Sequence, residues 1–243
     1  MKLNADLGES FGAWKLQNDE ALMPYIHMAN IACGGHAGDA NSMVKAIKST
    51  LHHKVEIGAH PSYPDIQGFG RRSMNIDSAE LIHLVCAQIA TLDGLAKCYG
   101  QNLSHVKPHG ALYNDAMSKP SVRTALFKAM KLYHRQLPIM LQATSQQSHI
   151  LLEAKEYDVS VIFEAFADRA YQDDGLLTPR TRSGAVLELE SAFLQAKQII
   201  ETNTVTTLSG KTISLAADSI CIHGDTPSAL ELAERLSQLL ACR

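Results

Sequence analysis

The sequence predicts an α/β fold with a parallel sheet. Short β-rich runs alternate with helical patterns along the chain, and helix-capping residues follow several of these runs. Seven parallel strands can close into a barrel or remain an open sheet, and the hydrophobic period does not decide between the two. The predicted strands are Lys2–Leu7, Ile26–Ala32, Val55–Ala59, Ser104–Lys107, Ile139–Ala143, Ser160–Ala165 and Ser219–Ile222.

The helices between the strands are predicted from their starts. Asp77, with Glu80 three residues later, resembles a capping box. Thr226 is followed by proline, which is favoured at the first position of a helix. Asp39 is predicted to cap the helix after the second strand, and Thr144 is predicted to cap a helix over residues 145–157.

Two segments interrupt the alternation of strands and helices. Residues 61–76 form a long loop rich in glycine, proline and arginine. Residues 185–216 are predicted to hold a helix followed by a hairpin that turns at Ser209 and Gly210. Because no linker, repeat or low-complexity segment divides the chain, the sequence predicts one domain over residues 1–243.

The composition excludes some classes of protein. The chain has 22 basic and 25 acidic residues, whereas a general nucleic-acid binder needs a strongly basic face. No run of about 18 apolar residues is present, so no membrane-spanning helix is expected. The five cysteines are odd in number and form no CxxC pair, and no signal peptide can be read. These features predict reduced thiols in the cytoplasm.

Ionisable side chains follow six of the seven predicted strands. Ligands bind at the carboxyl ends of the strands in both barrels and open α/β sheets, so an active site is predicted at this face. Some of these acids, such as Asp39 and Asp225, are also expected to cap helices. The residues at the strand ends are Asp6, Glu9, His36, Asp39, His60, Lys107, His109, Glu164, Asp168, Arg169, His223 and Asp225.

A metal site is one interpretation of this face. Asp6, His36 and His60 follow three successive strands, and one aspartate with two histidines can bind a divalent metal. No tight spacing such as HxxxH supports it, so a metal-free site that uses the same groups remains open. Gly34 and Gly35, just before His36, form either a backbone cradle for an oxyanion or an ordinary tight turn.

Lys107 is a candidate catalytic residue. It precedes a proline, as does His60, and this disfavours helical backbone and holds both residues extended. Both side chains are therefore expected to point into the pocket. Because desolvation lowers the pKa of a lysine, Lys107 is expected to transfer protons or to pair with the substrate.

Cationic side chains occur in two loops. Asp168, Arg169, Tyr171 and Arg180 follow the sixth strand and indicate a polar substrate with an anionic group. The arginine pair at 71–72 can hold a carboxylate or phosphate, or lie in solvent.

The chain has no nucleotide-binding fingerprint of its own. Residues 68–72 read GFGRR and lack the third glycine of the dinucleotide motif. Ser209–Thr212 resembles part of a phosphate loop, but Val205 occupies the position where that loop needs glycine. No G-x-S-x-G sequence is present, which argues against a serine hydrolase.

Seven blocks of sequence resemble the LamB/YcsF family. They occur in order from the first predicted strand to the last and cover nearly the whole chain. The blocks are residues 4–9 (NADLGE), 29–39 (ANIACGGHAGD), 58–65 (GAHPSYPD), 68–72 (GFGRR), 106–114 (VKPHGALYN), 164–171 (EAFADRAY) and 222–225 (IHGD).

The resemblance implies a fold and an activity. The implied fold is a distorted seven-stranded (β/α) barrel of the glycoside hydrolase/deacetylase type. The implied activity is that of a component of bacterial ATP-dependent 5-oxoprolinase, which opens 5-oxoproline to glutamate with ATP as co-substrate and with separate B and C subunits. Related deacetylases use an Asp/His/His metal site, so Asp6, His36 and His60 would bind a divalent metal by analogy.

Within that implied activity, the barrel is expected to bind 5-oxoproline, with Arg169 or Arg180 pairing with its carboxylate. Two alternatives remain, namely a metal-dependent deacetylase of carbohydrate or amino-sugar substrates and a non-catalytic substrate-binding or regulatory subunit. The expected catalytic residues are Asp6, Lys107, His109 and Glu164. The expected substrate-binding residues are Glu9, Asp168, Arg169, Tyr171, Arg180 and His223.

Overall fold

Seven parallel strands close into a barrel in which each pairs with the next in chain order. The computed structural model describes residues 1–15, 19–224 and 228–242. The last strand pairs with both the sixth and the first, so the predicted barrel is confirmed over the open sheet. The strands are β1 (Lys2–Leu7), β2 (Met28–Ala32), β3 (Glu56–His60), β4 (Leu103–Val106), β5 (Ile139–Gln142), β6 (Val161–Phe166), β7 (Thr204–Thr206), β8 (Thr212–Ser214) and β9 (Ser219–Ile222), of which β7 and β8 form a separate hairpin.

The barrel is distorted on both sides of β4. β3 and β4 change register next to Gly58, and β4 and β5 share a single Cα pair, Val106 with Ile139. A Cβ on Gly58 would lie 2.1 Å from His105 Nε2, so glycine makes room for the His105 ring inside the barrel. The least regular pairing of the closed sheet therefore lies along β4.

Helices surround the barrel and cover its outer face. Outward side chains of the strands, such as Leu3 and Ile31, are fully buried in one apolar core between sheet and helices. The helices are α1 (Asp19–Leu22), α2 (Ala40–His53), α3 (Ser78–Cys98), α4 (Gly110–Ser118), α5 (Pro120–Leu132), α6 (Gln147–Glu156), α7 (Leu189–Thr202) and α8 (Ala229–Ala241), with a 3₁₀ turn at Met23–Tyr25.

Two of the predicted helix caps are confirmed. The Asp39 carboxylate accepts a hydrogen bond from the Ser42 N–H at 2.8 Å at the start of α2. The Asp77 carboxylate accepts one from the Ala79 N–H at 2.8 Å at the start of α3. Each aspartate satisfies a backbone donor that the first turn of a helix leaves without a partner.

The helix predicted over 145–157 begins later than expected. The Thr144 hydroxyl accepts a hydrogen bond from the Gln146 N–H at 3.2 Å, and α6 starts one residue after Gln146. The predicted start is therefore wrong, because the threonine side chain closes a local turn instead of capping the helix. The predicted cap at Thr226 and the neighbouring Asp225 lie outside the described residues.

The two irregular segments differ in structure. Residues 61–76 contain no helix or strand and cross the carboxyl end of the barrel, where the Ala111 N–H donates to the Gly70 carbonyl at 2.8 Å. Residues 185–216 contain α7 and the antiparallel hairpin of β7 and β8, in which Val205 lies opposite Ile213.

Within the described ranges, α3 is the one helix that is long and apolar enough to cross a membrane on length and composition alone. No such helix was expected from the sequence. In the fold, α3 buries Leu81, Val85 and Ile89 and packs against α5. Its Asp93 is also buried and accepts hydrogen bonds from Tyr133 at 2.9 Å and Arg135 at 3.2 Å. The apolar character of α3 therefore serves the core between barrel and helices.

Candidate active site

A cavity of about 910 Å³ opens at the carboxyl end of the barrel, the face at which the sequence predicts the active site. Most of the predicted site residues line it, and the others contact the lining residues from behind. The predicted residues that line the cavity are Asp6, Glu9, His60, Lys107, His109, Arg169, Arg180 and His223. The predicted residues that lie behind them are His36, Glu164, Asp168 and Tyr171.

Lys107 is the centre of a buried charge cluster at the cavity. Its ammonium lies 2.9 Å from Asp6 Oδ1 and 3.1 Å from Glu164 Oε2, and 3% of its side chain is exposed. Burial alone lowers the pKa of Lys107, but the neighbouring negative charges, Asp6 foremost, raise it well above its ordinary value. The expected lowering is therefore wrong, because two carboxylates outweigh desolvation, and Lys107 remains a cation.

Asp6 is held as a carboxylate. Burial alone raises the pKa of Asp6, but His60 and Lys107 lower it well below its ordinary value. The Asn30 amide donates to Asp6 Oδ1 at 2.8 Å, and His60 Nε2 lies 3.3 Å from Asp6 Oδ2. Asp6 therefore presents a fixed hydrogen-bond acceptor at the cavity wall.

A polar network inside the barrel supports these charges, and it was not predicted from the sequence. The Asn4 amide donates to Ser219 Oγ at 2.8 Å, and the Asn30 amide donates to Asn4 Oδ1 at 2.8 Å. His105 Nε2 donates to Asn30 Oδ1 at 2.7 Å, and burial lowers the pKa of His105 to about 3, so this ring is neutral. The one indication in the sequence is the strand period of two, which turns the Asn4 and Asp6 side chains to the same face of β1, towards the barrel interior.

Four side chains converge beside Asp6. We call Glu9, His36, His60 and His109 the histidine cluster; one donor atom from each lies within 4.8 Å of the others. His36 Nε2 is 2.9 Å from Glu9 Oε1, and His109 Nδ1 is 3.0 Å from His60 Nε2. The His36 and His109 rings stack with their centroids 3.6 Å apart. The donor types are those that bind divalent transition metals.

The predicted metal triad is brought together only in part. Burial lowers the pKa of His36 and of His109 well below their ordinary values, so both imidazoles are neutral. Asp6 approaches His60, but its other oxygen holds Lys107. Glu9, and not Asp6, contacts His36. The donor set in the structure therefore differs from the triad of Asp6, His36 and His60.

The loop over residues 61–76 covers the histidine cluster. The Phe69 ring packs edge-on against His36 and His109, with centroids 5.3 Å away in each case. Gly70 has a φ of +65°, and a Cβ there would lie 2.8 Å from both His109 Cδ2 and His36 Cβ. Glycine is therefore required for its backbone angle and for the close approach of the loop to the imidazoles.

We expect Gly70→Ala to destabilise the fold by roughly 1–3 kcal/mol beyond the cost of the backbone angle, because the added methyl group overlaps both imidazoles. Equilibrium unfolding in urea measures the change. Gly100→Ala is the matched control, since Gly100 has a φ of +70° but no atom within 4 Å of its Cβ position. Equal losses for the two variants would contradict the packing argument.

The arginine pair of this loop is divided between two roles. Arg72 forms a bidentate ion pair with Asp65 inside the loop. Arg71 lines the cavity, and its guanidinium lies over the Phe69 ring at 5.1 Å. Of the two arginines, Arg71 is therefore the one placed to meet an anionic ligand.

An aspartate–histidine pair forms another part of the wall. His223 Nδ1 lies 2.8 and 3.0 Å from the two carboxylate oxygens of Asp168. Burial alone raises the pKa of Asp168, but His223 lowers it below its ordinary value. The carboxylate therefore orients the His223 ring, which lines the cavity.

The predicted substrate-binding residues after β6 separate into structural and accessible groups. Arg169 is buried and donates to the Thr178 carbonyl at 2.7 Å, and burial lowers its pKa to about 10. The Tyr171 hydroxyl is buried and accepts a hydrogen bond from the Phe166 N–H at 2.8 Å. Arg180 is exposed and lines the cavity. Arg180 is therefore the better placed of the two arginines to pair with an anionic substrate.

Tyr113 also lines the cavity, although it was not predicted from the sequence. Burial, and then the charge of Glu164, raise the pKa of Tyr113 well above its ordinary value, so its hydroxyl keeps its proton. The sequence spacing indicates this position, because Tyr113 follows His109 by four residues and a helix turns such positions to one side.

The segment before His36 is a tight turn. Gly34 has a φ of +88°, and its N–H donates to the Ala37 carbonyl at 2.8 Å, which supports the tight-turn interpretation. Burial raises the pKa of the Cys33 thiol to about 12, so it stays protonated.

Comparisons with known proteins agree with this architecture. The model of the LamB/YcsF family matches residues 1–242. The A subunit of 5-oxoprolinase from Vibrio campbellii is 48% identical over 241 residues, which cover 99% of this chain and 95% of the relative. The protein of the same name from Bacillus cereus is 42% identical over 235 residues, which cover 96% of this chain and 92% of the relative.

A solved structure supports the same assignment. The lactam utilization protein from Thermus thermophilus superposes with a TM-score of 0.91 at 35% sequence identity, covering 100% of this chain and 96% of that one. The family model, the relatives and the solved structure all extend over almost the whole barrel. The chain therefore belongs to the LamB/YcsF family.

Proposed function

We propose that this chain is the lactam-opening component of an ATP-dependent 5-oxoprolinase that acts with B and C subunits. The names of its relatives support the enzyme class. The observation that carries the proposal is the cation of Lys107, buried between Asp6 and Glu164 beside a cavity. Transfer of a phosphoryl group to the lactam oxygen brings negative charge to that position, and a preorganised cation stabilises such charge.

The proposed substrate is a small anionic lactam, 5-oxoproline. Its carboxylate would pair with Arg180, and Arg71, on the loop over residues 61–76, is a second cationic side chain that lines the cavity. The ring would lie deeper, where Lys107 and His223 line the cavity. The arginines would fix the orientation of the ring, and Lys107 would meet its carbonyl oxygen.

The chemistry explains the need for ATP. A lactam is a poor electrophile, and transfer of the γ-phosphoryl group to its oxygen makes the ring carbon open to attack by water. The ring C–N bond then breaks, and hydrolysis of the resulting acyl phosphate releases phosphate and glutamate. Because the chain has no recognisable phosphate loop, we propose that ATP is bound together with the partner subunits.

The five unpaired cysteines suit a cytoplasmic site of action.

Each polar group has a proposed role in that sequence. Lys107 stabilises the negative charge of the phosphoryl group on the lactam oxygen, and Glu164 holds the ammonium in place. Asp6, as an ionised acceptor, orients the attacking water. The His109 imidazole is neutral, and the His223 imidazole is paired with the Asp168 carboxylate. Both can pass protons between water and the departing ring nitrogen.

The proposal is tested by reconstitution. The purified chain is mixed with its B and C subunits, and ADP and glutamate are measured with and without 5-oxoproline. We expect both products only when the chain, both partners, ATP and 5-oxoproline are all present. Full glutamate formation without this chain would exclude the proposed role.

The histidine cluster favours a second candidate, a metal-dependent deacetylase of carbohydrate or amino-sugar substrates. This candidate predicts release of acetate from an acetylated amino sugar without ATP. A non-catalytic subunit, in contrast, predicts binding of 5-oxoproline and full turnover of the complex after substitution of cavity residues. Assays of acetate release and of the substituted complexes therefore separate the three.

A further inference from the structure

The protonation of two imidazoles in the histidine cluster is fixed by backbone carbonyls. His60 Nδ1 lies 2.7 Å from the Lys107 carbonyl oxygen, and His109 Nε2 lies 2.9 Å from the Phe69 carbonyl oxygen. A carbonyl oxygen only accepts hydrogen bonds, so each of these nitrogens carries a proton. The other nitrogens, His60 Nε2 and His109 Nδ1, therefore point into the cluster.

These inward nitrogens face each other. His60 Nε2 and His109 Nδ1 are 3.0 Å apart, and His60 Nε2 also lies 3.3 Å from Asp6 Oδ2. Atoms that can each accept a proton or bind a metal ion therefore meet at one place. A shared proton and a metal ion are the two candidates for the group between the two imidazoles.

The rest of the cluster distinguishes the two candidates. A proton bridges only two atoms. Two further side chains that can bind a metal ion, Glu9 and His36, lie at the same place. Glu9 Oε1 is 3.4 Å from His109 Nδ1, and His36 Nε2 is 2.9 Å from Glu9 Oε1. In a tetrahedral zinc site, two ligand atoms that each lie about 2.0–2.2 Å from the ion are about 3.3–3.6 Å apart, which is close to these separations.

We infer that Glu9, His36, His60 and His109 form a binding site for one divalent transition metal ion of the zinc type. Three imidazoles and one carboxylate are ligands of that class of ion. The Lys107 and Phe69 carbonyls act as the outer partners that orient two of the imidazoles. The site is distinct from the Lys107 charge cluster, because the Lys107 ammonium is held by Asp6 and Glu164.

The site deepens the proposed function without depending on it. A divalent ion here would supply a Lewis acid close to Asp6, able to polarise a carbonyl oxygen or to acidify bound water. The loop over residues 61–76 would shield it, because Phe69 packs against two of the ligand rings. Metal binding can be measured with no substrate and no partner protein, so its failure is distinguishable from failure of the 5-oxoprolinase proposal.

The experiment uses the full chain after treatment with a chelator. Co²⁺ alone is titrated in and followed by its visible absorption, and Zn²⁺ alone is titrated by calorimetry. We expect one equivalent of either ion. His109→Asn and Glu9→Gln should each weaken binding by at least about tenfold, judged against the 10–100-fold effect of losing a single orienting partner. His149→Gln, on the exposed face of α6, should bind as the unsubstituted chain does.

Thermal unfolding keeps the test independent of misfolding, since both cluster variants must melt cooperatively before their affinities are compared. If His109→Asn does not fold, Glu9→Gln, on the segment after β1, provides the same comparison. Binding of Co²⁺ that neither variant weakens would overturn the inference. So would the absence of cobalt absorption together with a strongly downfield imidazole proton resonance, which would assign the position to a shared proton.

Discussion

Lys107→Met is expected to lower the turnover of the reconstituted complex by about 10³-fold or more, at the upper end of the cost of losing one preorganised donor to a developing oxyanion. The reason is the fixed charge of Lys107, which lies between Asp6 and Glu164 and faces the cavity. Methionine has a similar length and no charge, so the change removes the cation while filling its volume. ADP release that depends on 5-oxoproline is the measurement.

A matched control isolates the effect of position. Lys128→Met makes the same chemical change on the exposed face of α5, and it should leave turnover unchanged. The conservative variant Lys107→Arg should remain impaired, because a planar guanidinium does not fit the small space between two carboxylates. Turnover of the Lys107→Met complex at the unsubstituted rate would exclude a catalytic role for this lysine.

The same substitution is expected to reduce the free energy of unfolding at neutral pH by about 3–5 kcal/mol, the usual cost of leaving a buried charge without its partner. Without the ammonium, the carboxylates of Asp6 and Glu164 lie close together in a buried site. Adding Glu164→Gln removes one of these charges. The double variant should therefore regain part of the stability but none of the activity, which separates misfolding from loss of chemistry.

The pH dependence of stability gives a second measure of this effect. In the unsubstituted chain the pKa of Asp6 is lowered, so its stabilising contribution is present above the unfolded-state pKa and is lost as the pH falls through the folded-state pKa. In Lys107→Met the buried Asp6 carboxylate loses its ammonium partner, so burial should raise its pKa and stability should be lost as the pH rises. Denaturant unfolding between pH 4 and 8 should therefore show the two chains converging towards acid pH; parallel curves would contradict the argument.

The sequence was sufficient to predict the barrel and the face that carries the site. Functional residues of such folds lie at the strand ends. The ionisable residues after six of the seven predicted strands therefore indicated a shared site, and Asp6, His60, Lys107 and His223 line one cavity. The family resemblance then decided between barrel and open sheet, and the closed pairing of β9 with β1 confirmed it.

The contacts within the site depend on distances that no strand determines by itself. Glu9 replaces Asp6 in the histidine cluster because Lys107, from another strand, already occupies the Asp6 carboxylate. Burial alone would lower the pKa of Lys107, but barrel closure brings to it two carboxylates, from other strands, that raise this pKa. The Tyr171 hydroxyl accepts a hydrogen bond from the Phe166 N–H, a contact that the sequence does not show.

The hydrogen bond between Asn4 and Ser219 has a consequence for how the chain folds. It joins positions 215 residues apart, in the first and last strands of the barrel. Closing so long a loop has a high entropic cost, so such a contact forms late, after the local pairings of neighbouring strands. During synthesis, the first six barrel strands can pair in sequence, but the polar interior beneath Lys107 is complete only once β9 has left the ribosome. Assembly of the site is therefore coupled to the last step of barrel closure, and a chain that stops before β9 would carry every cavity residue up to Arg180 without the geometry that makes them act together.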